Sequence, residues 1–488
     1  MADESRTVPE STTRQAVGDP GDSRFRTLPT WLPIVAAVVS GLLLAWAYGL
    51  TPWWGATWLA PIPLLAVVAS VRWRTAAGLG AITGAVASVS LLPYLIGLSG
   101  PIDALSISAL RAAQWAIVAL VARLAITRLP VVLAMFVVPA FLAGFDVLMT
   151  IASPHGSAGS PAYSQMDALP VIQVAALGGT AGVVFLPMLF ASAVASLLAH
   201  RQRTRRGVIA PGLVLVLALG FGAWRLAGQV PVDGVPVALI AGDEFDNTPD
   251  DWRRVWAGYE SAITEATETE PQIIVLPEKL FQVSSEDAQV FLSRAEELAE
   301  QYGVHLVVGI TELGIEDHNR AYLISPGADA IHYDKRHMIP GFESHFDRGS
   351  TNLTTRLDGM EAGVAICKDM DFPGTIRGYD AAVMLVPAWD FDADAWFHSR
   401  IAMLRGVENG TTVVRSARNG RLTVSDSRGR VLAEAPSGTP HQVLAAHIPN
   451  TPRATTLYSH IGDGFGWASL LFAIGVIGYA AFGRRTDQ

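Results

Sequence analysis

The chain has a single cysteine, Cys367, and only three lysines, Lys279, Lys335 and Lys368, among 35 basic side chains. One cysteine excludes a disulfide within the chain and any zinc ribbon. Charge of either sign is scarce: 16% of residues are charged against 50% hydrophobic, which excludes an ordinary soluble protein and points to a membrane protein. The formal net charge of -9 argues against a nucleic-acid partner, since phosphate binding needs clustered positive charge. Arginine serves almost wherever a generic positive charge suffices. A lysine kept in such a chain is a candidate for a compact, titratable ammonium that arginine cannot supply. At 488 residues the chain also exceeds one ordinary domain.

What is present divides in two. Uncharged apolar runs fill the first half, and most acidic residues lie between Asp243 and Asp394. A bilayer crossing needs about 20 mainly apolar residues in a helix. Eight runs qualify: Trp31 to Tyr48, Trp54 to Val71, Thr75 to Leu98, Ala112 to Thr127, Val131 to Ile151, Gly179 to Ala199, Gly207 to Trp224 and Gly464 to Phe482. The fourth is the weakest, with Arg111 and Arg123 crowding its ends. Short cytoplasmic loops collect Lys and Arg. With the N-terminus inside, the inner flanks hold Arg24, Arg26, Arg72, Arg74, Arg123, Arg128, Arg201, Arg203, Arg205, Arg206, Arg484 and Arg485, and the outer short flanks only Arg111 and Arg225. Both termini are therefore expected in the cytoplasm. The expected organisation is a disordered cytoplasmic tail (1–30), a membrane domain of seven helices (31–228), an extracytoplasmic domain (235–458), a C-terminal transmembrane helix (461–483) and a short cytoplasmic tail (484–488). This orientation places Ser157 and Glu286 outside, and Thr204 and Gln488 inside.

In the outer segment short β-rich runs alternate with helical stretches, the pattern of an α/β layered domain with a buried sheet. Three runs end in chemically pointed residues. IIVLPEKLF delivers Glu278, the hairpin from AYLISP to IHYDKRHMIP delivers Lys335, and GVAICKDMDFP delivers Cys367. Side chains at strand ends are held rigidly while the following loop admits substrate. A carboxylate can take a thiol proton, the thiolate can attack a carbonyl, and an ammonium with a backbone N–H, that of Lys368, can hold the oxyanion. Lys368 beside the sulfur is also expected to depress the thiol pKa, and Lys279 to be a surface neighbour of Glu278. A lone cysteine is more often a small buried hydrophobe. Glu278 and Lys335 could equally form an ordinary ion pair. His332, His337 and His345 with Asp334 and Asp347 match no zinc spacing, so neither metal nor cofactor is expected. The aromatic segment PAWDFDADAWF makes Trp389 and Trp396 candidates for substrate contact beside a plain core role.

The Glu-Lys-Cys order, the LPE, YDKRH and CKDMDFP contexts and the later RGVENG segment resemble the carbon-nitrogen hydrolase (nitrilase) superfamily, and the flanking spans resemble its membrane branch, the bacterial apolipoprotein N-acyltransferases. The resemblance implies an αββα sandwich beside about eight transmembrane helices, with Glu278 as base, Lys335 as oxyanion stabiliser and Cys367 as nucleophile. Glu343 in HMIPGFE matches the second acidic residue after the lysine, and Asp369 the acidic residue after the cysteine. Lys368 departs from the aromatic common at its position, and Gly341-Phe342-Glu343 from the usual glycine-glutamate dipeptide. The implied reaction moves an acyl chain from a membrane phospholipid, through a cysteine thioester, to the N-terminal amine of a diacylglyceryl lipoprotein, in a bacterial plasma membrane. A membrane-anchored amidase and a non-catalytic lipoprotein-binding relative are the alternatives.

Overall fold

The computed structural model describes residues 28–199, 207–228, 234–244 and 248–482. Most of the first tail, the second tail, the arginines 24, 26, 201, 203, 205, 206, 484 and 485 of the orientation count, and Thr204 and Gln488 lie outside the described residues.

Apolar helices make up the first half: α1 (Trp31–Ala47), α2 (Trp54–Leu59), α3 (Pro61–Val67), α4 (Trp73–Ala87), α5 (Leu92–Ser99), α6 (Pro101–Arg128), α7 (Val131–Ala152), α8 (Leu169–Ile172), α9 (Ala175–Ala199) and α10 (Ile209–Leu226). The eight expected runs are helical, but they are not eight uniform spans. Among the described residues five helices are long and apolar enough to cross a bilayer: α6, α7, α9, α10 and the C-terminal Gly464–Phe482. The third run is broken into α4 and α5, bent 69° apart, where Pro93 opens a new helix. The fourth is longer than its uncharged stretch, because α6 begins at Pro101 and carries Arg111 within it, the guanidinium lying 4.8 Å over the Tyr48 ring. The sixth starts at Ala175 and breaks at Gly179, whose φ of +62° needs glycine and whose missing Cβ makes room for the Tyr458 ring. Trp31–Ala47 and Trp54–Ser70 are shorter apolar helices.

Glycine lets α4 and α6 pack backbone against backbone. A Cβ at Gly80 of α4 would collide with the Trp115 carbonyl of α6, and one at Gly84 with the Arg111 carbonyl. Small residues four apart let two backbones meet in lipid, where there is no hydrophobic drive to bring them together.

The second half forms β1 (Gly234–Ala241), α11 (Trp252–Ala266), β2 (Ile273–Val275), β3 (Gln282–Ser284), α12 (Ser285–Tyr302), β4 (His305–Leu313), β5 (His318–Ile324) and β6 (Ile331–Asp334). It continues through β7 (Leu353–Leu357), β8 (Met360–Val364), α13 (Pro373–Arg377), β9 (Val383–Trp389), α14 (Ala395–Asn409), β10 (Thr412–Arg418), β11 (Arg421–Ser425), β12 (Val431–Pro436), β13 (Gln442–Pro449), α15 (Leu457–Ile461) and α16 (Gly464–Phe482). One sheet runs in the order β13-β1-β2-β4-β5-β6, with β3 also on β4; the other runs β12-β11-β10-β9-β8-β7. Their facing sides share one core that includes Val237, Leu239, Val307, Val364, Leu385 and Val414. The back of the first sheet is covered by α11 and α12, through Trp256, Phe291 and Ile263. The result is the expected αββα sandwich.

The back of the second sheet is different. Met384, Val386 and Val413, with Ile401 and Leu404 of α14, belong to the same buried cluster as Leu64, Trp115 and Val184 of the apolar helices. The sandwich is thus continuous with the helical bundle through its second helical layer. Replacing Gly80 by Leu is expected to overpack the α4–α6 crossing at a cost of about 1–3 kcal/mol, read as a lowered unfolding temperature in detergent. Gly78→Leu on the open face of α4, where nothing lies within 4 Å of a Cβ, is expected to be tolerated, and equal losses for the two would refute the crossing argument.

Candidate active site

Glu278, Lys335 and Cys367 each leave a strand end and meet in the interior. Glu278 follows β2, and its N–H donates to the carbonyl of Ala388 on the other sheet (3.2 Å). Lys335 follows β6; its N–H donates to the Asn319 carbonyl (2.9 Å) and its own carbonyl accepts from Gly349 N–H (2.9 Å). Cys367 opens a short 3-10 turn after β8 with φ of +40°, a left-handed conformation that a non-glycine residue adopts only when its surroundings enforce it. Its Sγ faces the Trp389 carbonyl at 3.6 Å.

Lys335 is fully buried, and its Nζ lies 2.7 Å from Glu278 Oε1 and 2.7 Å from Glu343 Oε2. Burial opposes its charge, but the two carboxylates and the Cys367 sulfur outweigh that and hold its pKa well above the ordinary lysine value. Glu343 is likewise penalised by burial, yet Lys335 and Lys279 hold its carboxyl below the usual range. The thiol of Cys367 is pushed up, first by burial and then by the Glu278 charge, against the pull of Lys335 and Arg415. Asp369 is pushed up to about 6 by burial. It accepts from the N–H groups of Ile366 (3.1 Å) and His337 (2.9 Å) and from the Tyr333 hydroxyl (2.9 Å), so one carboxylate ties the cysteine turn to the loop after Lys335.

Two expectations need correction. Lys368 does not lower the thiol pKa: its ammonium is directed at His155 Nδ1 (3.2 Å) and Asp371 Oδ2 (3.3 Å), and the thiol is raised. Lys279 is no surface neighbour, because its Nζ donates to Glu343 Oε1 at 2.6 Å and lies 4.9 Å over the Trp389 ring. Trp389 thereby stands at the site, flanked also by the Arg418 guanidinium at 4.1 Å. Trp396 lies apart from these contacts; it packs on the cluster shared with the apolar helices and beneath Arg400.

Two features escaped sequence reasoning. The Asn319 amide nitrogen donates to both Glu278 Oε1 (2.6 Å) and Glu343 Oε1 (3.0 Å). Arg415, also buried, bonds both oxygens of Asp390 (2.9 and 2.5 Å) behind the thiol. The alternation of NRAYLI on β5 signals that Asn319 is an inward polar position, but nothing local names its partners.

The apolar half reaches the site directly. Ser157, buried in the segment between α7 and α9 and so a poor labelling position, donates to the Asp371 carbonyl in the cysteine turn (2.7 Å). Gly156 is packed so closely on that carbonyl that a Cβ would strike it. Tyr94 of α5 donates to Asp394 Oδ2 at 2.6 Å, in the loop that follows Trp389.

Residues 40–193 match the family described as apolipoprotein N-acyltransferase N-terminal domain, and residues 237–455 match the carbon-nitrogen hydrolase family. An apolipoprotein N-acyltransferase of Geobacter metallireducens is 27% identical over 92% of this chain and 95% of its own length. One from Allorhizobium ampelinum is 28% identical over 68% of this chain and 70% of its own. Among solved structures, an amidase from Nesterenkonia sp. aligns with 46% of this chain and 94% of its own at 21% identity and a TM-score of 0.41.

Because burial and Glu278 both favour the neutral thiol, iodoacetamide should alkylate resting Cys367 more slowly than free cysteine at about pH 7.5, with a rate still climbing at about pH 9. The chain has no competing thiol. A plateau below about pH 8 would show a thiolate already formed and contradict this electrostatic account.

Proposed function

Because the chain belongs to the apolipoprotein N-acyltransferase family of carbon-nitrogen hydrolases, we propose that Cys367 carries the acyl group and that Glu278 and Lys335 serve it in both halves of the reaction. The chain is a membrane acyltransferase of lipoprotein maturation. The observation that supports the residue assignment is the meeting of three strand ends in one buried, charge-compensated cluster.

Glu278 takes the Sγ proton as the sulfur attacks the ester carbonyl of a membrane phospholipid. The carbonyl oxygen becomes an oxyanion held by the Lys335 ammonium and the Lys368 N–H. Collapse breaks the acyl C–O bond, and Glu278 returns the proton to the departing lysophospholipid alkoxide, leaving the thioester. The α-amine of a diacylglyceryl-cysteine then attacks the thioester carbonyl and gives its proton to Glu278. Breaking the C–S bond forms the amide, and the sulfur recovers its proton. Glu343 keeps Lys335 in register, and Asp369 keeps the cysteine turn against the Lys335 loop. No step calls for a metal or a cofactor. The shared core of sandwich and helices supports a donor that never leaves the bilayer, which a small soluble amide would not require.

The catalytic domain is assigned to the extracytoplasmic side and both termini to the cytoplasm, on the arginine distribution. A label at exposed Glu286 should then react in intact cells, and one at Gln488 only after lysis; protection of Glu286 would reverse the orientation.

Incubated with phospholipid, the wild type should gain one acyl mass on the Cys367 peptide, and Cys367→Ala should neither gain it nor N-acylate lipoproteins, as read by mass spectrometry of lipoprotein N-termini. Lys335→Arg should be nearly as damaging as Lys335→Ala, at about 100 to 1,000-fold in rate, because a planar guanidinium cannot sit where a compact ammonium does. Transfer that survives Cys367→Ala would refute the thioester, and near-normal thioester formation by folded Lys335→Arg would refute the role of Lys335.

A further inference from the structure

Two of the three lysines in the chain enter one buried cluster. Lys335 Nζ bridges Glu278 Oε1 and Glu343 Oε2 at 2.7 Å each, and Lys279 Nζ reaches the other oxygen of Glu343 at 2.6 Å. Cations and carboxylates therefore alternate in the order Lys279, Glu343, Lys335, Glu278. The Asn319 amide ties the two carboxylates together from the side. With the thiol protonated, two ammoniums balance two carboxylates. Without Lys279 the same dry volume would hold one ammonium between two carboxylates. The excess negative charge would oppose thiol ionisation, and Glu343, having lost a donor, would draw Lys335 toward itself.

Lys279 is built into this place. Its φ of +50° lies in the left-handed region, which a lysine rarely adopts. The conformation is held on both sides: Glu278 N–H donates to the Ala388 carbonyl (3.2 Å), Leu280 N–H to the Gly309 carbonyl (2.9 Å), and Arg418 Nη1 to the Lys279 carbonyl (3.2 Å). Its ammonium also lies over the ring of Trp389, the residue whose carbonyl faces the sulfur. The residue thus touches both the carboxylate cluster and the strand end beside the thiol.

We infer that Lys279 is a positioning residue of the transfer reaction: by neutralising Glu343 it leaves Lys335 to Glu278 and the Cys367 sulfur, and so sets how readily the thiol yields its proton. This rests on the reading of Glu278, Lys335 and Cys367 as the reacting triad. The charged groups bearing on the thiol are Glu278, Lys335, Arg415 and Asp390, and those bearing on Glu343 are Lys335 and Lys279. Arg415 and Asp390 bond each other and compensate mutually. Lys279 therefore acts on the sulfur through Glu343 and Lys335.

The sole cysteine gives a readout independent of acyl transfer: the rate of iodoacetamide alkylation of Cys367 from about pH 7 to about pH 9, measured on the full-length protein in detergent. Lys279→Met should slow alkylation about tenfold at each pH, equivalent to raising the thiol by about one unit. Lys279→Arg, which keeps the charge, should stay within about twofold of the wild type. A merely structural lysine would lower the unfolding temperature without moving this profile. A folded Lys279→Met protein with the wild-type profile overturns the inference. Should Lys279→Met fail to fold, the charge-balanced Lys279→Met/Glu343→Gln protein decides: a wild-type profile supports the inference and a profile displaced to higher pH overturns it. Failure of the triad itself would show differently, as transfer that persists in Cys367→Ala.

Discussion

The site is organised around one ammonium with no exposure to water. Removing a charge from water costs several kcal/mol even after relaxation, and the cost is recovered only with close, well-aligned partners. Lys335 has them in Glu278 and Glu343. Those carboxylates in turn require the Asn319 amide, Lys279 and the Ile339 N–H, which donates to Glu343 Oε2 at 3.0 Å. Glu278 and Lys279 follow β2, Asn319 lies on β5, and Ile339 and Glu343 share the loop after β6, so the ammonium ties β2, β5, β6 and that loop together. A site assembled in this way is rigid before substrate arrives, and preorganised charge is what stabilises a developing oxyanion.

The membrane half completes the site from below. The strained Cys367 turn rests on Gly156 and Ser157, and Lys368 reaches His155 beyond it. On the opposite flank Tyr94 fixes Asp394, four residues after the Asp390 that meets Arg415, and Phe391 N–H donates to the Asp394 carboxylate at 2.9 Å. A backbone held in a sparsely populated region persists only where its surroundings over-determine it. Here part of those surroundings belongs to the apolar helices, so the cysteine turn and the helices share a continuous core rather than forming two loosely joined parts.

The pieces legible in the sequence were those written locally. A β-rich run followed by a lone Glu, Lys or Cys marks a strand end, and the three marked residues do converge on one interior. Strand-helix alternation gives an α/β layered domain, and the αββα sandwich comes from the family resemblance. What was not legible depends on distance and direction. Lys279 is adjacent to Glu278, where a surface neighbour is expected, but its left-handed backbone and the loop of Glu343, 64 residues away, turn it inward. Lys368 is adjacent to Cys367, where its charge is expected to favour the thiolate, yet its ammonium lies toward His155 of the apolar half. Asn319 and Arg415 acquire meaning only through strand register. Composition locates apolar runs but cannot see the elbow between α4 and α5 or the extra turns that carry Arg111 into α6.

The rarity of lysine now has a physical reading. Arginine delocalises its charge over a planar fork and is suited to pairing with one carboxylate in two contacts, as Arg415 does with Asp390. A point charge that must touch oxygens of two different carboxylates, in a volume closed to water, needs the smaller head and the longer tether of lysine. Lys279 directly follows Glu278 and Lys368 directly follows Cys367, and each lysine directs its ammonium at a buried carboxylate: Glu343 for Lys279 and Lys335, Asp371 for Lys368. Buried arginines such as Arg405 and Arg415 serve elsewhere in the interior, so it is the bridging of two carboxylates at Lys335, rather than burial alone, that calls for lysine.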